Sequence, residues 1–76
     1  MNRRIVIEGF NERLELAIAE SGMNRSEIAR MMGMNRKVLI PSTTGCQMSL
    51  GPLAKFCAIT GVSADWMLGL RREMEL

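Results

Sequence analysis

Residues 22–39 constrain this chain most. They read Gly-Met-Asn-Arg-Ser-Glu-Ile-Ala-Arg-Met-Met-Gly-Met-Asn-Arg-Lys-Val-Leu. Two short helices fit here, each with its own start signal. Asn24 followed by Glu27 forms a capping-box pattern: the Asn24 side chain accepts from a free N–H of the first turn, and Glu27 reaches back to the Asn24 N–H. Ile28 and Met32 then share one face at i, i+4. Gly33 suits a helix C-terminus with positive φ, where a Cβ is strained. Asn35 caps a second helix whose first residues are Arg36 and Lys37. Small Ala29 is where that helix approaches the first closely.

A helix, a glycine turn and a basic second helix make a helix-turn-helix, which sets its second helix into the DNA major groove. The flanking segments are helical too. Phe10, Leu14, Ala17, Ile18 and Ser21 follow i, i+4, i+7, i+8, i+11, with Gly9 or Asn11 at the start and Gly22 at the end. Glu12 and Glu15 complement the helix dipole. Residues 41–48 are rich in turn formers, and Pro41 disfavours helical geometry at Ile40. A fourth helix opens at Ser49 and tolerates Pro52 in its first turn. Its expected buried stripe is Leu50, Leu53, Ala54, Cys57 and Ala58, with Phe56 or Ile59 on a flank. Gly61 ends it. Ser63 caps a last short helix that carries Asp65 in its first turn. The spacing therefore predicts an all-α domain over residues 10–70, with five helices at about 10–21, 25–32, 36–41, 50–60 and 64–69. Residues 71–76 read as a frayed C-terminal tail. Residues 1–9 form an N-terminal arm that contains Ile5-Val6-Ile7. It could be disordered, lie on the domain, or pair as a strand with a second copy, since a lone strand is unstable in water.

The chain has 76 residues, enough for one domain with a small core. Its net charge is +2, but the distribution is uneven. Residues 1–23 hold three arginines against four glutamates. Residues 24–55 hold Arg25, Arg30, Arg36, Lys37 and Lys55 against Glu27 alone. Positive charge thus gathers on the motif, as a nucleic-acid surface requires. The chain has no histidine, and its two cysteines, Cys46 and Cys57, do not form a CxxC pair. That argues against a zinc site and a disulfide framework. Cys57 falls on an apolar helix face, whereas Cys46 lies in a Gly-containing loop and suits a reducing compartment. No apolar run is long enough to span a bilayer. The three-residue run after Arg3-Arg4 is too short for a signal segment. A cytoplasmic chain is the expectation.

The chain resembles the lambda-repressor-like helix-turn-helix domains, the Cro/repressor-type and XRE-like regulators of phages and bacteria. The resemblance rests on Leu14 and Ala17, then Gly22-Met23-Asn24, Glu27-Ile28-Ala29, Gly33-Met34-Asn35-Arg36 and Leu39. It continues through Ser49-Leu50, Leu53 and Ala58 to Gly61-Val62-Ser63, with Asp65-Trp66-Met67-Leu68 at the end. It covers about residues 10–69 and implies a compact five-helix DNA-binding domain. By position it implies a phosphate contact from Arg25, groove contacts from Asn35, Arg36 and Lys37, and phosphate contacts from Thr43 and Thr44. Arginine can bond guanine O6 and N7 together, and lysine supplies a point charge. Trp66 is expected as a core anchor between the last two helices. Met23, Met31, Met32, Met34 and Met67 are expected to fill the core. Val38 and Ile40 stand where the family carries polar, outward-facing residues. Two apolar side chains there could touch thymine methyls or bury against another protein.

The resemblance implies a small, repressor-type transcriptional regulator that binds specific DNA sequences, of phage or mobile-element origin, whose partner is double-stranded DNA. Family members commonly pair as a homodimer so that two reading helices meet successive major grooves about 34 Å apart. No cofactor, metal, membrane or small-molecule ligand is implied. An enzyme is not expected, because no residue set here supplies acid–base or nucleophilic chemistry. The other reading is a protein-interaction module of the same fold, docking through Val38 and Ile40.

Overall fold

The computed structural model describes residues 8–40 and 48–75. Four α-helices follow one another: α1 (Phe10–Ser21), α2 (Arg25–Met32), α3 (Leu50–Thr60) and α4 (Ala64–Met67). A 3₁₀ turn, Arg36–Leu39, stands between α2 and α3. Among the described residues there is no strand, only an isolated bridge between Val62 and Glu75. The domain is all-α, as the periodicity predicts.

The local signals explain the helix ends. At the start of α2, the Asn24 side chain accepts from the Glu27 N–H at 2.9 Å, and a Glu27 carboxylate oxygen accepts from the Asn24 N–H at 3.0 Å. This is the reciprocal capping box expected from the sequence. Gly33 closes α2 at φ 72°. Its N–H donates to the Arg30 carbonyl, and the Met34 N–H donates to the Ala29 carbonyl. Both bonds need the left-handed backbone that glycine adopts without strain. At α3, Ser49 has N-cap backbone geometry but makes no side-chain cap bond, so its expected hydroxyl cap is not formed. At α4 the Ser63 hydroxyl does cap, accepting from the Trp66 N–H at 3.3 Å.

The third expected helix is corrected. Over 36–41 a helix is predicted; the chain instead makes one 3₁₀ turn of four residues. Asn35 caps it as expected, accepting from the Lys37 N–H at 2.9 Å. Ile40 then leaves the helical region, at φ −88° and ψ 127°. Pro41 follows it in sequence, and proline drives the preceding residue toward extended geometry. The stretch before Ile40 is too short for a regular run of i→i+4 bonds, and the tighter i→i+3 pattern takes over. The last helix also stops earlier than 69. Gly69, at φ 80°, donates to the Trp66 carbonyl, and Leu70 donates to the Asp65 carbonyl, which closes α4 at Met67.

One core joins these elements. Phe10, Leu14, Ala17 and Ile18 of α1 meet Ile28, Ala29 and Met32 of α2, Leu39 of the turn, Leu53, Phe56 and Cys57 of α3, then Val62, Trp66 and Met67. Trp66 and Met67 are core residues, as expected. The buried face of α3 is rotated from the expected stripe. Leu50, Ala54 and Ala58 are exposed, and Phe56 is completely buried. The reason is area: one phenylalanine ring removes far more apolar surface from water than two alanine methyls. Met31 is likewise exposed rather than core, because α2 turns Ile28, Ala29 and Met32 inward. Residues 71–75 are held to the domain rather than frayed. Met74 packs on the core, and its carbonyl accepts from the Ser63 N–H at 2.6 Å.

Cys57 is buried, and burial pushes its thiol pKa above the ordinary value. The fold therefore holds this proton more tightly than the unfolded chain does. Its contribution to stability is intact at neutral pH and falls as the pH rises through the thiol range. Cys57 is expected to resist iodoacetamide in the native protein and to react after denaturation, as peptide mass mapping would read. Rapid native labelling of Cys57 would contradict this burial.

Candidate nucleic-acid interface

The bracket formed by α2, its glycine turn and the 3₁₀ turn carries four cationic residues, Arg25, Arg30, Arg36 and Lys37, against one carboxylate, Glu27. Asn35, Arg36 and Lys37 follow one another at the start of the turn, and all three are exposed. Their backbone is fixed on both sides. The C-terminal bonds of α2 hold Gly33 and Met34, and the Asn35 cap holds the turn. Beneath them Leu39 is completely buried. The charges thus sit on a short rigid element rather than a free loop. Among the described residues, the side chains of Arg36, Lys37 and Arg30 have no carboxylate partner.

Arg25 stands at the start of α2, as expected, and its side chain is engaged within the domain. It pairs with Glu15 of α1. Its Nε also donates to the Leu39 carbonyl at 3.1 Å. One guanidinium thereby links α1, the first turn of α2 and the end of the 3₁₀ turn. Its charge is already offset by a carboxylate, so it is a tie within the fold rather than an uncompensated cation facing solvent. Helix periodicity alone does not reveal this, because Glu15 lies ten residues away in another helix.

Of the two apolar residues expected on the outer surface, the structure separates Val38 from Ile40. Val38 is half-buried and packs against the core. Ile40 is 46% exposed. Thr43 and Thr44 lie outside the described residues, as do Pro41, Cys46 and the Ile5-Val6-Ile7 segment.

A groove of about 470 Å³ runs beside the motif. Partly exposed Met34 gives it apolar surface over the buried Ala29, and Gly33 leaves it open at the turn. Ser26, Arg30, Asn35 and Arg36 supply its polar groups. Ser26, Arg30 and Gly33 fall at i, i+4, i+7 on α2. They form a stripe beside the inward Ile28 and Met32, and that periodicity is the signal in the sequence for Ser26 and Arg30, which are not among the residues expected above to contact DNA. No group of three or more His, Cys, Asp or Glu among the described residues is placed to hold a metal ion. No helix among them is long and apolar enough to cross a membrane.

Comparison of the chain with protein-family models, with curated proteins and with solved structures found no match.

Proposed function

We propose that this chain binds double-stranded DNA through its helix-turn-helix-like bracket and acts as a small, repressor-type transcriptional regulator of the lambda-repressor-like kind. The observation that carries this reading is the run Asn35-Arg36-Lys37, exposed and held by its cap, whose two cations have no carboxylate partner among the described residues. Arg36 is the base reader in this reading, since a guanidinium can bond two acceptors of guanine at once. Lys37 contributes phosphate attraction, and Asn35 chiefly orders the turn. A 3₁₀ turn of four residues offers fewer side chains to the groove than a long helix. Specificity then calls for two copies on successive half-sites, about 34 Å apart.

The test is selection of the purified chain on a random duplex library. An enriched motif with paired half-sites is the expected result. On the selected site, Arg36→Ala should weaken binding by about 1–3 kcal/mol and relax preference at one base pair. An Arg36→Ala variant that binds the selected site as tightly as the parent would remove Arg36 from the reading surface.

A second reading, docking of a protein partner through this face without specific DNA binding, draws on exposed Ile40. It predicts that Ile40→Asp abolishes a complex whose affinity changes little with salt. Phosphate contacts instead give a steep salt dependence.

A further inference from the structure

We infer that the groove between α2 and the 3₁₀ turn seats a stretch of nucleic-acid sugar–phosphate backbone, with Arg30 as its phosphate anchor. The assignment rests on the DNA-binding reading above and moves the backbone contact from Arg25 to a residue outside that reading.

Three observations carry it. The polar lining of the groove is Ser26, Arg30, Asn35 and Arg36, with no carboxylate among them. A hydroxyl, an amide and two guanidiniums are the donors that phosphate oxygens accept from. Arginine suits this task because its planar fork can bond two phosphate oxygens together. The second observation is charge. Arg30 and Arg36 are exposed and lack a carboxylate partner among the described residues, whereas Arg25 is paired with Glu15. A cation already paired with a carboxylate, as Arg25 is at the surface, releases less counterion on binding than a free one, which releases about one. The third is shape. The groove has about 470 Å³, much more than a lone ion needs, and partly exposed Met34 gives a sugar ring an apolar contact. Arg36 lines this groove and belongs to the Asn35–Lys37 run, so backbone seated on Arg30 lies next to the residue that reads bases in that reading.

The experiment is fluorescence anisotropy of the full chain with a labelled mixed-sequence duplex, over a salt series of roughly 50–200 mM. The wild type is compared with Arg30→Ala, Arg30→Lys and Arg25→Gln, each checked for folding by urea denaturation. Arg30→Ala should weaken binding by a similar factor on every duplex and reduce the slope of log K against log salt by about one. Arg30→Lys should keep the slope, and Arg25→Gln should leave it at the wild-type value. Wild-type binding with an unchanged Arg30→Ala slope overturns this assignment and leaves the DNA reading standing. So does loss of slope in Arg25→Gln instead. If the wild type fails to bind duplex at the lowest salt, the DNA reading itself falls. A parallel arm with a poly-glutamate probe covers the competing occupant. Arg30-dependent capture of that probe without duplex binding would assign the groove to an acidic protein segment and overturn the proposal.

Discussion

Phe56→Ala is expected to cost about 3–5 kcal/mol of folding stability. Phe56 is completely buried in α3 and faces the core shared by all four helices. Truncation removes the transfer free energy of the ring and leaves a cavity that tightly packed neighbours fill only in part. A domain of this size has a total stability on the order of 4–11 kcal/mol, so the variant should be largely unfolded or close to it. Leu50→Ala is the internal control. Leu50 is 82% exposed, and its truncation should stay within about 0.5 kcal/mol. Urea unfolding followed by Trp66 fluorescence separates the two, because Trp66 sits in the same core. A Leu50→Ala cost equal to that of Phe56→Ala would restore the stripe expected from spacing and refute the rotated face.

The second large effect belongs to Arg13. Its Nε donates to the Met67 carbonyl at 2.9 Å, and its Nη2 donates to the Glu8 carbonyl at 2.8 Å. One guanidinium therefore joins the entry of α1 to the exit of α4, 54 residues apart in sequence. Arg13→Met keeps the apolar stem but leaves the partly buried Met67 carbonyl without this donor. The expected loss is about 2 kcal/mol, with a fall in Tm of roughly 8–16 °C. Arg13→Lys should recover little, since an ammonium lacks the fork that reaches both carbonyls. Full rescue by lysine would mean that charge, not geometry, is what matters there. Gly69 is coupled to this site. A Cβ at Gly69 would lie 3.1 Å from Arg13 Nη2, and its φ of 80° strains any side-chain-bearing residue. Gly69→Ala should therefore destabilise, and by less in the Arg13→Met background, where the close contact is gone and the backbone strain stays. A double-mutant cycle measures that difference.

Much of the helical order was legible because its causes are local. Phe10, Leu14, Ala17 and Ile18 repeat with helical period and lie on one buried face. Asn24 with Glu27, Gly33, Asn35 and Ser63 act within a few residues of themselves, so their caps and stops could be read one at a time. The shortening at Pro41 was half legible. Its effect on Ile40 was foreseen, and the collapse of the whole segment into a 3₁₀ turn was not, because that depends on how little helix remains once Ile40 is lost.

The candidate site was legible by composition and less so by role. Arg36 and Lys37 were selected from their place after a cap, and they are exposed as that place requires. Arg25 also follows a cap, yet it is engaged by Glu15 and the Leu39 carbonyl. Arg30 carries no such cap signal, and its place beside the groove depends on two elements meeting. Val38 looked outward on a regular helix, and the tighter turn brings it onto the core.

From sequence alone came the all-α class, the helix starts and stops, and the concentration of positive charge on residues 24–55. These follow from backbone geometry, capping and hydrophobic period, which act over four to eight residues. Only the tertiary structure decided which face of α3 is buried, which arginines are offset and which are free, and that Arg13 closes the two ends of the domain on each other. Each of those depends on what a distant segment brings alongside, and no local pattern records the neighbour a side chain will meet once the core has formed.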